Sequence, residues 1–196
     1  MVLQALRAGK HTFVEKPLTL KEEELAEIER FYTENPTGPM LMVGFNRRFD
    51  PNFKAVRDAI SGGGIGDVEM VTIVSRDPGP PPIGYLERSG GLFRDMAIHD
   101  FDMARFLLGE AIRSVFAVGA CLIDPEIGAA GDIDTAMVTL TSASGRFVQL
   151  ANCRRAPFGY DQRLEVICAN EALYVENRPA TTLRIGDASG FRTAPP

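Results

Sequence analysis

The stretch HTFVEKPLTLKEEELAEIERFYTENPTGPMLMVGF, residues 11–45, sets the fold class of this chain. A short β-rich run opens it, and the segment from Thr19 to Glu22 then has the form of a capping box. This pattern predicts a helix from about Leu20 to Tyr32, which must end before the breaker NPTGP at 35–39. The continuous apolar run from Met40 to Phe45 predicts a buried strand. Strand, helix and strand in this order are typical of a parallel α/β unit.

Helix signals flank this unit on both sides. Residues Val2 to Ala8 carry apolar side chains at helical spacing and stop at Gly9, the residue type that best adopts a left-handed conformation after a helix. After the unit, Asp50-Pro51 is a good helix start, because Asp accepts from free amides and Pro tolerates the first helical position. That helix should run to about Ile60, and the Gly-rich segment 61–66 should close it.

Strands dominate the rest of the chain. A strand is predicted from Val68 to Ser75, followed by a Pro-rich loop over 77–84 and a helix from about Leu92 to Leu108. Sequential strands joined by short turns imply an antiparallel sheet. The further predicted strands are Ser114 to Leu122, Thr135 to Thr141, Phe147 to Cys153, Arg163 to Cys168, Ala172 to Glu176 and Thr182 to Ile185.

The predicted architecture is an α/β remnant followed by an α+β domain with an open, mainly antiparallel sheet. Helices should cover one face of that sheet. The other face must meet solvent or another subunit, and we expect a subunit. The sequence therefore predicts a homo-oligomer, a dimer or a tetramer, that assembles through the open sheet face.

The composition is that of an ordinary globular protein and argues against several function classes. The formal net charge is -5 and Lys and Arg do not cluster, which disfavours binding of nucleic acid or of an acidic membrane. Neither a long apolar run nor a signal sequence occurs, so we expect a cytoplasmic protein. The three cysteines lack metal-ligand spacing and are interpreted as reduced core thiols. With His11 and His99 as the only histidines, we predict no metal site.

The first candidates for chemistry are Asp95 and His99, in the run GGLFRDMAIHDFDMARFLLG at 90–109. Four residues apart on a helix, a carboxylate and an imidazole lie on one face and can point into one cleft. Histidine has an ordinary pKa of about 6.5, so it can accept the proton of an alcohol while hydride leaves, as a dehydrogenase requires. The alternative is an ion pair on the helix surface, since this spacing often arises by chance.

Glu15-Lys16-Pro17 directly follows a predicted strand of the parallel unit, where open α/β sheets place their ligands. A lysine at this position could hydrogen-bond a substrate hydroxyl and hold it beside the base. The alternative is a solvated surface lysine next to a turn proline. The residues alone leave both interpretations open.

Five segments, in chain order, resemble consecutive motifs of the Gfo/Idh/MocA oxidoreductase family. They extend over nearly the whole chain, and the last is most similar to the inositol dehydrogenases of that family. Any one of them would be weak evidence, whereas five in the family's order are strong. The segments are AGKHTFVEKPL, VGFNRRFDP, SRDPGPPP, GGLFRDMAIHDFDMARFLLGE and PFGYDQRLEV.

The resemblance implies an enzyme that transfers hydride from a secondary alcohol of myo-inositol, or of a related cyclic polyol or sugar, to NAD. Residues 1–44 would be the C-terminal part of a Rossmann-like dinucleotide-binding domain, and residues 45–196 the substrate-binding and oligomerisation domain. The implied catalytic set is Lys16, Asp95 and His99. In it His99 is the general acid/base, Asp95 binds the reacting ring and Lys16 assists proton transfer.

Further contacts follow from the same resemblance. Glu15-Lys16-Pro17 would border the cofactor. Polyol recognition needs several donors and acceptors, because a buried polar group without a partner costs about 1 to 3 kcal/mol. Surface ion pairs and a core tyrosine are the alternatives for these residue types. The implied substrate-binding residues are Arg47, Asp77, Asp95, His99 and Tyr160.

The sequence departs from the family in its phosphate loop. A complete member opens with a strand and a G-x-G-x-x-G turn whose amides face the pyrophosphate. The run SGGGIG at 61–66 does not fit, because it follows a predicted helix and precedes a strand. We therefore expect an incomplete piece of the enzyme with weak or no dehydrogenase activity by itself. The sequence distinguishes neither NAD from NADP nor one inositol epimer from another.

A second function class stays open. The chain could be a non-catalytic fragment that acts as an oligomerisation or binding module through its open sheet. Solution mass and thermal shifts with inositol or NAD would separate the two, because an oligomer that responds to neither ligand favours assembly alone.

Overall fold

The computed structural model describes residues 1–177 and 183–193. The chain divides into two compact units, Met1–Asn46 and Arg47–Pro196. Residue 182, where the last predicted strand starts, lies outside the described residues.

A small parallel α/β arrangement forms the first unit. Its two strands pair in parallel, with Thr12 opposite Leu41, and a helix connects them. The predicted order of strand, helix and strand is confirmed, and the carboxyl ends of both strands lie at one edge. The elements are α1 (Val2–Arg7), β1 (Thr12–Val14), α2 (Glu22–Glu34) and β2 (Leu41–Val43).

Two details of this unit differ from the prediction. The capping box is wrong, because α2 begins at Glu22 and the Thr19 hydroxyl donates to the Glu24 carboxylate at 2.7 Å instead of capping the first turn. The strand over 40–45 is shorter than predicted, and the prediction that it is buried is wrong, since Leu41 and Val43 are half-buried and Met42 is 46% exposed. Successive strand side chains point to opposite faces, so Met42 points away from the face of Leu41 and Val43.

A short 3₁₀-helix (Asn46–Phe49) precedes α3 (Pro51–Gly62), and the local signals for α3 are confirmed. The Asp50 carboxylate accepts from the amides of Asn52 and Phe53 at 2.8 and 3.3 Å, which satisfies two of the amides left open at a helix start. Gly63 ends the helix in the left-handed conformation, at a φ of 75°, which costs glycine no steric strain.

Helices and strands then alternate irregularly through the second unit. They are α3 (Pro51–Gly62), β3 (Val68–Arg76), α4 (Ile83–Ser89), a π-helical turn (Phe93–Ala97) that continues into α5 (Ile98–Leu108), β4 (Ile112–Ala120), α6 (Pro125–Ala129), β5 (Thr135–Ser142), β6 (Phe147–Cys153), β7 (Asp161–Cys168), β8 (Ala172–Val175), β9 (Arg184–Asp187) and β10 (Gly190–Thr193).

Three helical features of this unit differ from the prediction. The single α-helix over 92–108 is interrupted at its start by the π-helical turn. The predicted Pro-rich loop ends early, because α4 starts at Ile83 directly after the prolines, and α6 was not predicted. Proline is well tolerated just before or at the first turn of a helix, which is where the last prolines of the loop stand.

One six-stranded sheet carries the second unit, in the order β4-β5-β6-β3-β7-β8. The strands β3 and β6 pair in parallel, with Ile73 opposite Leu150, and the other neighbouring pairs of these six strands are antiparallel. The mainly antiparallel sheet is thus confirmed. The parallel pair agrees with a sheet that is mainly and not wholly antiparallel, and it arises because β3 lies at the sheet centre beside strands that are distant from it in sequence.

The core of this unit lies between α3, α5 and one face of the sheet. Buried side chains of both helices pack in one cluster with alternate residues of the central strands, as the two-residue period of a strand requires. Residues pointing the other way are open, and Met70, Met137 and Phe147 are 41%, 45% and 55% exposed. The buried members include Phe53, Val56, Val71, Ile73, Met103, Leu107, Val138, Leu140, Val148, Leu150, Leu164 and Val166.

Candidate active site

Glu15-Lys16-Pro17 follows β1 directly, at the carboxyl-end edge of the parallel pair in the first unit. Lys16 and Pro17 are half-buried and joined by a cis peptide bond, and Glu15 is exposed. At the same edge Gly44 follows β2, and a Cβ built there would stand 3.0 Å from a Glu15 carboxylate oxygen. The motif therefore lies at the strand ends, as expected, and its role toward a cofactor stays a prediction.

Asp95 and His99 lie on the continuous helical segment from Phe93 to Leu108. Asp95 is in the π-helical turn and His99 is the second residue of α5. A π turn takes more residues than an α turn, so four residues across the junction make about one full turn and the two side chains share a face. Single π turns inside α-helices are frequent at functional sites. Apolar side chains anchor the other side of this segment, and all of them are buried: Leu92, Met96, Met103, Leu107 and Leu108.

Groups from outside this helix hold the Asp95 carboxylate from two sides. The Tyr85 hydroxyl, on α4, donates to Oδ1 at 2.8 Å. The two terminal nitrogens of Arg154, just beyond β6, reach Oδ2 at 3.5 Å. The carboxylate hydrogen bond also raises the pKa of Tyr85 above its ordinary value, with burial adding to the effect.

Arg154 is a fully buried cation, only 1% exposed. A second carboxylate, that of Asp132, lies 3.9 Å from its guanidinium. Withdrawing a guanidinium from water is costly unless carboxylates compensate its charge. The buried position of Arg154 therefore depends on Asp95 and Asp132 together.

Asp77 belongs to the same polar cluster. It directly follows β3, and its amide donates to the Cys153 carbonyl at 3.0 Å. Burial raises the pKa of the Asp77 carboxyl above its ordinary value; the positive charge of Arg154 opposes this shift, and the negative charge of Asp95 adds to it. Carboxyls perturbed by burial and by other carboxylates concentrate at functional sites.

Arg47 is fixed beside this cluster by Asp100, the residue after His99. The completely buried Asp100 carboxylate accepts from the guanidinium of Arg47, from the Ser75 hydroxyl at 2.7 Å and from the Asn152 amide at 2.5 Å. Three donors, one of them charged, satisfy a carboxylate that water does not reach. The side chain of Arg47 keeps 16% of its surface exposed, so its guanidinium is oriented but still accessible.

Tyr160 stands immediately before β7. That strand pairs antiparallel with β3 so that Asp161 lies opposite Arg76, which places Tyr160 at the same sheet edge as Asp77. Its ring is 63% exposed. The alternative of a core tyrosine is therefore wrong, and a contact between Tyr160 and substrate stays a prediction.

Sequence reasoning missed three members of this cluster: Tyr85, Asp100 and Arg154. A signal for Asp100 was present, because it stands four residues after Met96 and three before Met103, which places it on the buried face of the helix. Tyr85 and Arg154 gave no such signal. Their partner Asp95 lies 10 and 59 residues away in the sequence, and only the fold brings them to it.

Within residues 1–177 and 183–193, no group of three or more His, Cys, Asp and Glu side chains is arranged to hold a metal ion. None of the helices in the described part of the chain is long and apolar enough to cross a membrane. The three cysteines are thiols, of which Cys168 is buried, whereas Cys121 and Cys153 are half-buried at strand ends. The prediction of three core thiols is therefore wrong for two of them.

The family question is decided by a sequence model of the GFO/IDH/MocA C-terminal domain, which matches residues 53–174. The chain belongs to the Gfo/Idh/MocA family. The resemblance that the five segments indicated is thus confirmed, and the matched range contains Asp77, Asp95, His99 and Tyr160.

Several known proteins similar to this Gfo/Idh/MocA chain are inositol dehydrogenases. Inositol 2-dehydrogenase of Rhizobium meliloti (strain 1021) is 54% identical over 190 residues, which are 97% of this chain and 57% of the relative. The crystal structure of a myo-inositol dehydrogenase from Corynebacterium glutamicum has a TM-score of 0.91 at 38% identity, covering 100% of this chain and 58% of that one. For scyllo-inositol dehydrogenase from Lactobacillus casei with bound NAD(H) and scyllo-inositol, the TM-score is 0.83 at 28% identity, covering 97% and 58%. The chain thus spans little more than half the length of these relatives.

Proposed function

We propose that the protein to which this chain belongs oxidises a secondary alcohol of myo-inositol, or of a related cyclic polyol or sugar, and transfers the hydride to NAD. The observation that carries the proposal is the polar cluster of the second unit. There a carboxylate and an imidazole stand one helical turn apart, beside Arg47 and Asp77, in a chain 54% identical to an inositol 2-dehydrogenase. This chain would supply the substrate-binding part of that enzyme.

The chemistry needs two acceptors, because oxidation of an alcohol removes hydride from carbon and a proton from oxygen. NAD would accept the hydride. We assign the proton to His99, whose imidazole can bind and release it near neutral pH. Asp95 would accept a hydrogen bond from the reacting ring, and Lys16 would bind the reacting hydroxyl and assist proton transfer, as the family resemblance implies.

Arg47, Asp77 and Tyr160 are proposed to hold the remaining hydroxyls of the ring. A polyol presents donors and acceptors around its whole rim, so its site needs groups of both kinds. The guanidinium supplies donors, the carboxylate supplies acceptors and the phenol supplies both. Because the pKa of Asp77 is raised by burial, this group can also exchange a proton at a higher pH than an ordinary carboxyl.

Glu15-Lys16-Pro17 is proposed to border the cofactor. The motif stands at the carboxyl ends of parallel strands, where open α/β sheets bind nucleotides, and the Lactobacillus casei relative carries NAD(H). The residues 1–196 contain no G-x-G-x-x-G turn to cradle the phosphates. We therefore predict weak or no turnover by these residues alone, and the choice of NAD over NADP rests on the relatives.

The test is NADH formation by the full-length gene product with a panel of inositols and cyclic sugars. Wild type should turn over at least one of them, and His99→Ala should lower kcat by roughly 10²-fold or more, as expected for loss of a general base. The matched control is His11→Asn, in which an amide oxygen can replace the imidazole nitrogen that accepts from the Met40 amide at 2.9 Å. Wild-type activity no higher than that of His99→Ala would refute the proposed reaction.

A second candidate function, a non-catalytic oligomerisation module, is favoured by one observation. The sheet face opposite the helices exposes apolar side chains, among them Met70, Met137 and Phe147. Open apolar sheet faces commonly bury themselves against another subunit. An oligomer in solution whose melting temperature responds to neither inositol nor NAD would support this module over the enzyme, whereas an oligomer that is also active would join the two proposals.

A cytoplasmic location remains a prediction.

A further inference from the structure

A carboxylate that receives a substrate hydroxyl must keep one position, since small displacements of a reacting or binding group cost orders of magnitude in rate. The side chain of Asp95 rotates about two bonds, so the orientation of its carboxylate depends on the groups that it contacts. Each of its oxygens meets a separate group from elsewhere in the fold. Oδ1 accepts from the Tyr85 hydroxyl, and Oδ2 faces the Arg154 guanidinium.

We propose that Tyr85 and Arg154 are positioning residues that clamp the Asp95 carboxylate between them, so that it meets the substrate ring in one orientation. The clamp itself rests on the geometry of the second unit. Its benefit to the reaction rests on the proposed function.

Arg154 is suited to this task because burial and two carboxylates restrain its side chain. Its side chain is buried and its charge is compensated by Asp95 and by Asp132. Asp132 in turn accepts from the amide of Leu92 at 3.1 Å, at the start of the helical segment that carries Asp95. The Arg154 guanidinium therefore contacts the side chain of Asp95 directly. Through Asp132 it is also linked to the backbone amide of Leu92, three residues before Asp95.

Tyr85 is suited for the opposite reason. It is 45% exposed, so its ring contributes little to the core, and its hydroxyl is the part of the residue with a defined partner. The charges that influence the phenol are those of Asp95, Arg154 and Asp77, which places it in the same cluster as the proposed substrate groups. Replacing Tyr85 by Phe removes one hydroxyl and leaves no cavity.

The clamp is tested without any activity by a double-mutant cycle on the 196-residue chain. Unfolding by urea is measured for wild type, Tyr85→Phe, Asp95→Ala and the double variant, because alanine removes the acceptor oxygen that asparagine would keep. A hydrogen bond between a phenol and a carboxylate at a half-exposed site should couple the two substitutions by about 5-fold or more in the unfolding equilibrium constant. The control cycle pairs Asp95→Ala with Tyr174→Phe, an exposed tyrosine on β8, and should show no coupling. Equal coupling in both cycles would overturn the clamp.

The positioning role is tested by kinetics of the full-length enzyme. Tyr85→Phe and Arg154→Lys should each raise the KM for the polyol and lower kcat, for a loss of about 10-fold in kcat/KM, with the KM for NAD unchanged. Asp132→Asn separates structure from positioning, because it should lower the melting temperature with a smaller effect on the polyol KM. Tyr174→Phe should match wild type.

Failure of the two proposals can be told apart. A wild-type enzyme that oxidises no polyol refutes the proposed function, and the urea cycle still decides the clamp. An active wild type with Tyr85→Phe and Arg154→Lys kinetics equal to those of Tyr174→Phe overturns the positioning role and leaves the proposed function standing.

Discussion

Burial affects both Asp134 and Asp77, and the surroundings of the two carboxyls shift their pKa values in opposite directions. Asp134 is completely buried and accepts from the successive backbone amides of residues 122–124 at 2.9, 2.8 and 3.1 Å. The Thr135 hydroxyl is a further donor at 2.9 Å. Although burial alone would raise the pKa of Asp134, these hydrogen bonds outweigh it and lower the pKa to about 2.

For Asp77 burial prevails, and the pKa of its carboxyl is raised. The positive charges of Arg154 and Arg47 oppose this effect, and the negative charges of Asp95 and Asp100 add to it. A carboxylate that serves the fold is saturated with donors, whereas one that receives a ligand needs acceptor capacity for that ligand. The surroundings of Asp134 are those of a carboxylate that stabilises the fold, whereas those of Asp77 are suited to binding a ligand.

The largest effect is expected for Asp134→Asn. An amide has one acceptor oxygen where the carboxylate has two, so backbone amides of the 122–124 loop lose their partner inside the protein. We expect the free energy of unfolding to fall by about 3 kcal/mol at neutral pH in urea denaturation. The matched control is Asp58→Asn, an exposed carboxylate paired with Lys54 on α3, which should change it by less than about 0.5 kcal/mol. Similar losses in the two variants would contradict a structural role for Asp134.

The pH dependence of this variant sharpens the test. The folded pKa of Asp134 lies below its ordinary value of 3.8, so the carboxylate stabilises the fold above that value and its contribution is lost as the pH falls toward about 2. The stability gap between wild type and Asp134→Asn should therefore narrow across that interval. A gap that stays constant there would mean that the carboxylate charge is not what holds the loop.

Local signals explain most of what the sequence predicted correctly. The start and end of α3 depend on Asp50 and Gly63, whose effects act within a turn, and strand positions follow from alternation along a few residues. The candidates Asp95 and His99 rest on the same kind of local signal, their spacing on one helix, and their roles stay predictions. Such features need no knowledge of the rest of the fold.

Features that depend on distant partners were not predictable in this way. The parallel pairing of β3 with β6 joins Met70 to Phe147, and periodicity along one strand carries no information on the neighbour it selects. The burial of Arg154 could not be predicted either, because in the sequence it is one of two consecutive arginines. Its burial follows from two carboxylates supplied by other segments.

A smaller effect than for Asp134 is expected for Asp161→Asn. Asp161 is completely buried, and although burial raises its pKa, hydrogen bonds from Arg163 at 2.6 Å and Asn177 at 2.7 Å prevail and lower it. The two arginines that pair with Asp161 stay partly hydrated, since the side chains of Arg76 and Arg163 are 35% and 44% exposed. Water can therefore solvate both guanidinium groups when the carboxylate is removed. We expect a loss of about 1 to 2 kcal/mol in urea denaturation, reduced further at high salt. A larger loss of stability than for Asp134→Asn would contradict the idea that exposed donors make the loss of a buried carboxylate less costly.

The smallest change in stability, and the one of opposite sign, is expected for Asp77→Asn. The folded pKa of Asp77 lies above its ordinary value, so ionisation favours the unfolded chain and wild type loses stability as the pH rises from the ordinary value through the folded one. Asparagine cannot ionise, so the variant should be more stable than wild type by up to about 1 kcal/mol at neutral pH, and equal to it at low pH. Urea denaturation at several pH values measures this difference.

The same substitution should raise the polyol KM of the full-length enzyme, because an amide replaces one acceptor by a donor. A gain in stability together with weaker substrate binding is the pattern expected of a group that is strained for function. If Asp77→Asn were instead less stable than wild type at neutral pH, Asp77 would belong with Asp134 as a structural carboxylate, and the substrate contacts would have to come from the other proposed groups, Lys16, Arg47, Asp95, His99 and Tyr160.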